Sequence, residues 1–69
     1  MTDKLTNYDI EVLELLAGER AEVAFGRATL FAVLEYLQGR RFAALERTDD
    51  RLGYRITDAG RAALAAAKP

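Results

Sequence analysis

Hydrophobic residues recur at helical spacing in two stretches of the chain. In the first stretch the apolar positions that share one face are Ile10, Leu13, Leu16 and Ala17. Thr6 precedes them as a candidate N-cap, Asp9 completes a weak form of the capping box, and Gly18 provides a stop. The pattern predicts a helix over residues 7–17.

The second stretch has an apolar stripe made of Leu30, Val33, Leu34 and Leu37. With Gly39 as its stop, this stripe predicts a helix over residues 28–38. Between the two stretches, Ala21, Ala24 and Phe25 fit one helical face. They predict a short helix over residues 19–25, with an irregular turn as the alternative because an isolated segment of this length does not hold a helix.

After Gly39 the hydrophobic period changes from helical to alternating. Residues 42–48 and 54–57 alternate as two strands, and the Gly- and Asp-containing turn 49–53 between them predicts a β-hairpin. Phe42 and Leu45 are expected in the core. Thr57 is placed to end the second strand and to cap an alanine-rich last helix.

These elements predict an α+β fold in one small domain, residues 1–69: three N-terminal helices, a two-stranded hairpin and a C-terminal helix. The chain has 69 residues, of which 51% are hydrophobic, and it has no cysteine and no histidine. A core of this size supplies only ~3–5 kcal/mol of net stability. Disulfides and thiolate metal sites are excluded.

Enzymatic chemistry has little support in the sequence. The chain lacks a histidine or cysteine to activate a nucleophile, and it has no Gly-rich phosphate loop. Glu11 and Glu14 are three residues apart, and we interpret them as ordinary solvent-facing charges. We therefore expect no catalytic residue, no metal site and no cofactor.

Charge is unevenly distributed along the chain although the net charge is only −1. Residues 1–26 carry two cations and six acids, net −4, whereas residues 27–69 carry eight cations and five acids, net +3. Such asymmetry suggests one polar binding face. The alternative is an arginine-rich surface without a specific partner.

The sequence contains no apolar run of the ~20 residues that a membrane-spanning helix needs. Its first residues also lack the basic start and apolar stretch of a signal peptide. We expect a cytoplasmic protein without a membrane partner.

The order of predicted elements resembles a winged helix-turn-helix domain. The stretch LEYLQGRRFAALERTDDRLGYRITDAGRAAL resembles the third helix, wing and following helix of MarR-like and PadR-like bacterial regulators, and the likeness covers about residues 28–66. Its most distinctive part is the strand-to-helix joint from Tyr54 to Gly60. The resemblance implies a transcriptional regulator that binds double-stranded DNA as a homodimer, with the third helix in the major groove.

Transferred by position, the resemblance implies DNA contacts on the third helix, at its end and at the wing tip. The candidate residues are Arg27, Thr29, Tyr36, Arg40, Arg41 and Arg51. Arg27 and Thr29 would lie at the N-terminal end, where base contacts occur. Arg40 and Arg41 would reach phosphates, and Arg51 would enter the minor groove.

Other features favour a second hypothesis, in which the same fold binds a protein or a second copy of itself. The face of the third helix holds Ala32 and Glu35, and no cation lies between Arg27 and Arg40. Asp49 and Asp50 precede Arg51. Several candidates also have structural interpretations: packing or dimerisation for Phe31 and Tyr36, helix capping for Arg40 and Arg41, and a turn for Arg51.

Overall fold

The computed structural model describes residues 4–46 and 53–68. Within these residues it has an α+β fold with three helices and a two-stranded antiparallel sheet. The elements in chain order are α1 (Asn7–Leu16), α2 (Arg27–Gly39), β1 (Ala43–Leu45), β2 (Tyr54–Ile56) and α3 (Asp58–Ala67). The α+β class and the hairpin are confirmed.

Helix α1 begins at a complete capping box, as its sequence predicts. The Asp9 backbone N–H donates to the Thr6 hydroxyl at 3.2 Å, and the Thr6 backbone N–H donates to the Asp9 carboxylate at 2.9 Å. Asp9 is buried, so this reciprocal pair also satisfies the acid. The helix ends at Leu16, and Gly18 adopts a left-handed φ of +80°.

The predicted short helix over residues 19–25 is wrong, because residues 17–26 form an irregular connection between α1 and α2. Seven residues are too few to nucleate a helix without strong packing support. The segment instead takes its partners from α1. The N–H of Ala24 donates to the Glu11 carboxylate at 3.1 Å, and the ring of Phe25 meets that of Tyr8 edge-on with centroids 4.8 Å apart.

Arg20 supplies the second anchor of this connection. Its guanidinium donates to Glu11 and to Glu14, each at 3.1 Å, and also to the backbone carbonyl of Glu22. Interpreting Glu11 and Glu14 as ordinary solvent charges was therefore wrong. Both carboxylates hold the connection against the side of α1.

The core lies where the three helices meet the hairpin. Its fully buried members are Val12 and Leu13 of α1 and Leu34 and Leu37 of α2, joined by Ala43, Ile56 and Leu64. Burying a side chain such as leucine contributes ~1.5–3 kcal/mol. The apolar stripe predicted for the second long helix thus faces the core, with Leu30 and Val33 at its margin.

The hairpin pairs Ala43 with Ile56 and Leu45 with Tyr54. Its first strand is shorter than predicted, and residues 47–52, which include the predicted turn 49–53 except for Gly53, lie outside the described residues. Leu45 is 64% exposed, so its predicted place in the core is wrong. It shares a strand face with Ala43, but it lies at the far end of the strand, beyond the helices.

The end of the hairpin and the start of α3 are joined by Thr57. Its backbone N–H donates to the Phe42 carbonyl at 3.1 Å, and its hydroxyl donates to the Arg41 carbonyl at 2.7 Å. The same hydroxyl accepts the N–H of Gly60 at 3.0 Å, which caps α3. One side chain therefore ties the chain before β1 to the chain after β2.

Gly60, in the first turn of α3, packs against the Phe42 carbonyl that accepts the Thr57 N–H. A Cβ atom at Gly60 would lie 2.1 Å from the carbonyl oxygen of Phe42 and 2.9 Å from the Ile56 side chain. Only a residue without a side chain allows α3 to start this close to the backbone of Phe42, the residue before β1.

We predict that Gly60→Ala destabilises the protein by at least about 2 kcal/mol, because overpacking against backbone cannot be relieved by a rotamer change. The measurement is the free energy of unfolding in urea, followed by circular dichroism.

Gly39→Ala is the matched control. A Cβ at Gly39 would meet no atom within 4 Å. Alanine should therefore raise the free energy of unfolding by ~0.5–1 kcal/mol, because it has a higher helix propensity than glycine. Equal stability of Gly60→Ala and the unmutated protein would contradict the close approach of Gly60 to the Phe42 carbonyl.

Candidate nucleic-acid interface

Two of the candidate residues lie in the first turn of α2. Arg27 is the first residue of the helix, and its exposed side chain makes no ion pair with any residue that the structure describes. Gly26 provides no side-chain cap, and the first turn has no acid. This end of α2 therefore presents free N–H groups and positive potential. Thr29 is half-buried in the same turn.

At the other end of α2, Arg40 and Tyr36 form one unit. The Arg40 guanidinium donates to the Tyr36 hydroxyl at 2.9 Å. Its Cζ lies 5.9 Å from the Tyr36 ring centroid and 5.3 Å from that of Phe42. Each such cation–π contact contributes ~0.5–1 kcal/mol at an exposed site. Arg40 is thus a positioned charge held against two rings.

Arg41 follows and has unusual backbone geometry. The N–H of Phe42 donates to the Leu37 carbonyl at 2.9 Å, and the N–H of Arg41 donates to the Gln38 carbonyl at 3.0 Å. This is the hydrogen-bond pattern of a Schellman motif, whose left-handed position is usually glycine. Here Arg41 occupies that position, with φ +67°. The helix continues through Gly39, so Gly39 is not the stop that the sequence predicted.

The side chain of Arg41 is exposed, and among the described residues it forms no ion pair. Arg27 and Arg41 mark opposite ends of α2, roughly 20 Å apart along the helix axis. The structure therefore brings Tyr36, Arg40 and Arg41 together at one end of α2, and leaves Arg27 and Thr29 at the other.

The hairpin contributes less positive charge than its arginines suggest. Arg55 of β2 forms an ion pair with Glu46, which follows β1. This pair neutralises the described part of the hairpin. Arg51, the candidate for minor-groove contact, lies outside the described residues.

Between its two cationic ends, α2 presents small and aromatic residues. Its exposed positions after Arg27 are Ala28, Phe31, Ala32, Glu35, Tyr36, Gln38 and Gly39. Phe31 is 40% exposed and Tyr36 is 46% exposed. This face offers few donors to base edges, so any sequence readout here would rest on apolar contacts and on Gln38.

Most of the described acidic side chains of the N-terminal half form ion pairs with residues outside α2. Glu11 and Glu14 bind Arg20, and Lys68 at the end of α3 bonds to Glu19 and lies 3.3 Å from Glu14. The pair of Lys68 with Glu14 joins the end of α3 to α1, and the Arg20 pairs join the connection after Gly18 to α1. Because these ion pairs occupy Glu11, Glu14 and Glu19, the acid left near the start of α2 is Glu22, which lines the same cavity as Arg27.

The ion pairs also shift two pKa values. The hydrogen bond from Lys68 lowers the pKa of Glu14 below its usual value of 4.5, against the opposing effect of desolvation and with help from Arg20. The bonds to Glu19 and then Glu14 raise the pKa of Lys68 above its usual 10.5.

No group of acidic side chains in residues 4–46 and 53–68 has the arrangement of a metal site. In the same residues, no helix combines the length and the apolar character needed to cross a bilayer.

Comparison of the chain with protein-family models, with curated proteins and with solved structures gives no match.

Sequence reasoning missed the role of Glu11 and the conformation of Arg41. A signal for the first was present, since Arg20 is the only cation in residues 5–26 and lies among five acids, so its pairing could have been expected. For the conformation of Arg41 the sequence was misleading, because the position of Gly39 suggested that this glycine ends the helix. Only the hydrogen bonds reveal that the left-handed position comes two residues later.

The Glu14–Lys68 pair predicts a pH dependence of stability. Because the pKa of Glu14 is lowered in the folded state, its contribution is present above the usual pKa and is lost as the pH falls through the folded value. The contribution of Lys68, whose pKa is raised, is present below about pH 10.5 and is lost at higher pH. We therefore predict that Lys68→Gln is less stable than the unmutated protein at neutral pH, and that the difference shrinks as the pH falls below the usual Glu14 pKa of 4.5 and through its lowered folded value.

Urea unfolding at several pH values measures this difference. Arg61→Gln removes an exposed cation of the same helix and should leave the acid dependence unchanged. A Lys68→Gln difference that stays constant with pH would contradict the pairing.

Proposed function

We propose that this chain is a winged-helix DNA-binding protein, a small bacterial transcriptional regulator that binds as a homodimer. In this proposal α2 is the recognition helix and the hairpin is the wing. The observation that carries it is Arg41, an exposed arginine in a backbone conformation that favours glycine.

A left-handed conformation costs a residue with a side chain ~1–2 kcal/mol relative to a right-handed one. In a domain whose core supplies only ~3–5 kcal/mol, this is a substantial cost. Such strained residues cluster at functional sites, where the surrounding structure holds them. Here Thr57 supports the conformation through its bond to the Arg41 carbonyl. A role for the guanidinium outside the fold would explain why arginine stands at this position.

The neighbouring charges suit a phosphate backbone. Arg40 is positioned beside Arg41 by its stacking on Tyr36 and Phe42, so two cations lie at the C-terminal end of α2. Arg27 supplies a third cation at the N-terminal end. Phosphate contacts of this kind provide much of the affinity of DNA-binding proteins.

The middle of α2 is compatible with close approach to a groove. Ala32 in the middle, with Ala28 near the start and Gly39 at the end of α2, is small and exposed, which allows the helix backbone to approach bases closely. Alanine side chains also make apolar contacts with thymine methyl groups. Glu35 opposes phosphate, so the cations at the helix ends have to provide the attraction.

The test is the affinity of the protein for a mixed-sequence DNA duplex, measured by fluorescence anisotropy at several salt concentrations. We predict that affinity falls steeply with salt. Arg41→Gln should weaken binding and reduce the slope of log affinity against log salt by about one per bound chain.

Arg61→Gln is the control, because it removes the same charge from α3, beside Glu19 and Lys68. It should leave the salt slope nearly unchanged. Equal slopes for Arg41→Gln and Arg61→Gln would show that only net charge matters, and no binding at low salt would refute the proposal.

A second candidate function is protein binding without DNA. It is favoured by the exposure of Phe31 and Tyr36 on a helix face that has no cation between Arg27 and Arg40. Aromatic residues are enriched in protein interfaces. Association with a protein, together with absent duplex binding at low salt, would support this function.

A further inference from the structure

We propose that a surface cavity beside the start of α2 binds a second copy of this chain. The cavity has a volume of about 310 Å³ and lies among the end of α1, the connection after Gly18 and the first turns of α2. In the proposed dimer, Phe31 of each copy enters the cavity of the other. Glu22 of each copy pairs with Arg27 of the other.

The cavity is mainly apolar and open to solvent. Leu15, Val23 and Leu30 provide its apolar lining, and Phe31 forms one wall. Phe31 is 40% exposed, which is a large exposure for a phenylalanine inside a helix that otherwise buries its apolar stripe. Covering this ring and filling the cavity would remove apolar surface from water at ~25 cal/mol per Å².

The irregular connection that replaces the expected short helix shapes this cavity. It is fixed against α1 by Arg20 and by the bond from Ala24 to Glu11, so its position does not depend on a partner. A preformed surface avoids the cost of ordering a loop on binding.

The charged residues of the cavity indicate that its partner is the same surface on a second copy of the chain. Glu22 and Arg27 both line the cavity, both are exposed, and within the described residues neither side chain has an ion-pair partner. A twofold dimer places each patch against its own copy, so an acid and a base on opposite sides of the axis meet each other. A uniformly acidic or basic partner would gain from only one of these two charges.

This inference does not rest on DNA binding. In this dimer Arg27 and Phe31 lie in the interface, so the pair of Arg27 with Glu22 of the second copy and a contact of Arg27 with phosphate exclude each other. DNA contacts of the dimer are then left to Arg40 and Arg41 at the other end of α2. Measurements of self-association without DNA report only on the dimer. The Arg41→Gln variant tests DNA binding without changing a residue that lines the cavity.

The experiment is sedimentation equilibrium of the purified chain from about 1 µM to about 1 mM, without DNA. The unmutated protein should show a concentration-dependent dimer. Glu22→Arg and Arg27→Glu should each weaken dimerisation at least about tenfold, because each places like charges together twice across the axis. Circular dichroism checks that the variants fold.

Mixing the two variants is the decisive step. In the mixed dimer both cross-pairs again join opposite charges, so an equimolar mixture should dimerise better than either variant alone. The double variant carrying Glu22→Arg and Arg27→Glu should recover dimerisation by itself for the same reason.

Phe31→Ala tests the apolar contact with the cavity and should weaken dimerisation. Tyr36→Ala is the control: Tyr36 has a similar exposure but does not line the cavity, so its loss should leave dimerisation unchanged. A monomer at every concentration would overturn the proposal and leave the cavity to a different partner. Equal behaviour of the mixture and the single variants, or of the two aromatic variants, would also overturn it.

Discussion

The close contact between the Arg41–Phe42 backbone and the Thr57–Gly60 turn is the constraint on which the rest of this structure depends. The Thr57 N–H and hydroxyl bond to the two carbonyls before β1, and Gly60 lies against the second of them. The exit of α2, both strands and the start of α3 are therefore fixed at one point. A hairpin with three-residue strands is marginal alone, and this junction is what attaches it to the helices.

The same junction connects stability to the candidate function. The Thr57 hydroxyl holds the Arg41 carbonyl while the end of α2 fixes the Arg41 N–H, so this residue keeps a left-handed conformation without being glycine. The exposed guanidinium of Arg41 is the observation on which the proposed DNA binding rests. Arg40, stacked on Tyr36 and Phe42, adds a second charge beside it.

Much of this fold could be predicted from the sequence because its signals are local. The capping box of Thr6 and Asp9, the apolar stripe of α2 and the capping role of Thr57 each depend on residues within a few positions. The segment 19–25 could not be predicted in the same way. Its conformation depends on Glu11, nine residues before Arg20, and periodicity does not report such a distant ion pair.

The candidate site was predictable in outline only. The resemblance to winged helices placed Arg27, Arg40 and Arg41 around one helix, and the structure has them at its two ends. The pairing of Arg55 with Glu46 and the left-handed backbone of Arg41 depend on which groups meet in three dimensions. The position of Leu45 was mistaken because strand alternation gives the face of a residue, but not how far the core extends along the strand.

The most direct test of this account compares Arg41→Gly with Arg41→Ala in urea unfolding and in duplex binding. Glycine should raise the free energy of unfolding by ~1 kcal/mol over alanine, because only glycine relieves the left-handed strain. Both variants should lose affinity for DNA equally, since both lose the guanidinium. Equal stability of the two variants would contradict the strained backbone, and undiminished DNA affinity would contradict the function assigned to Arg41.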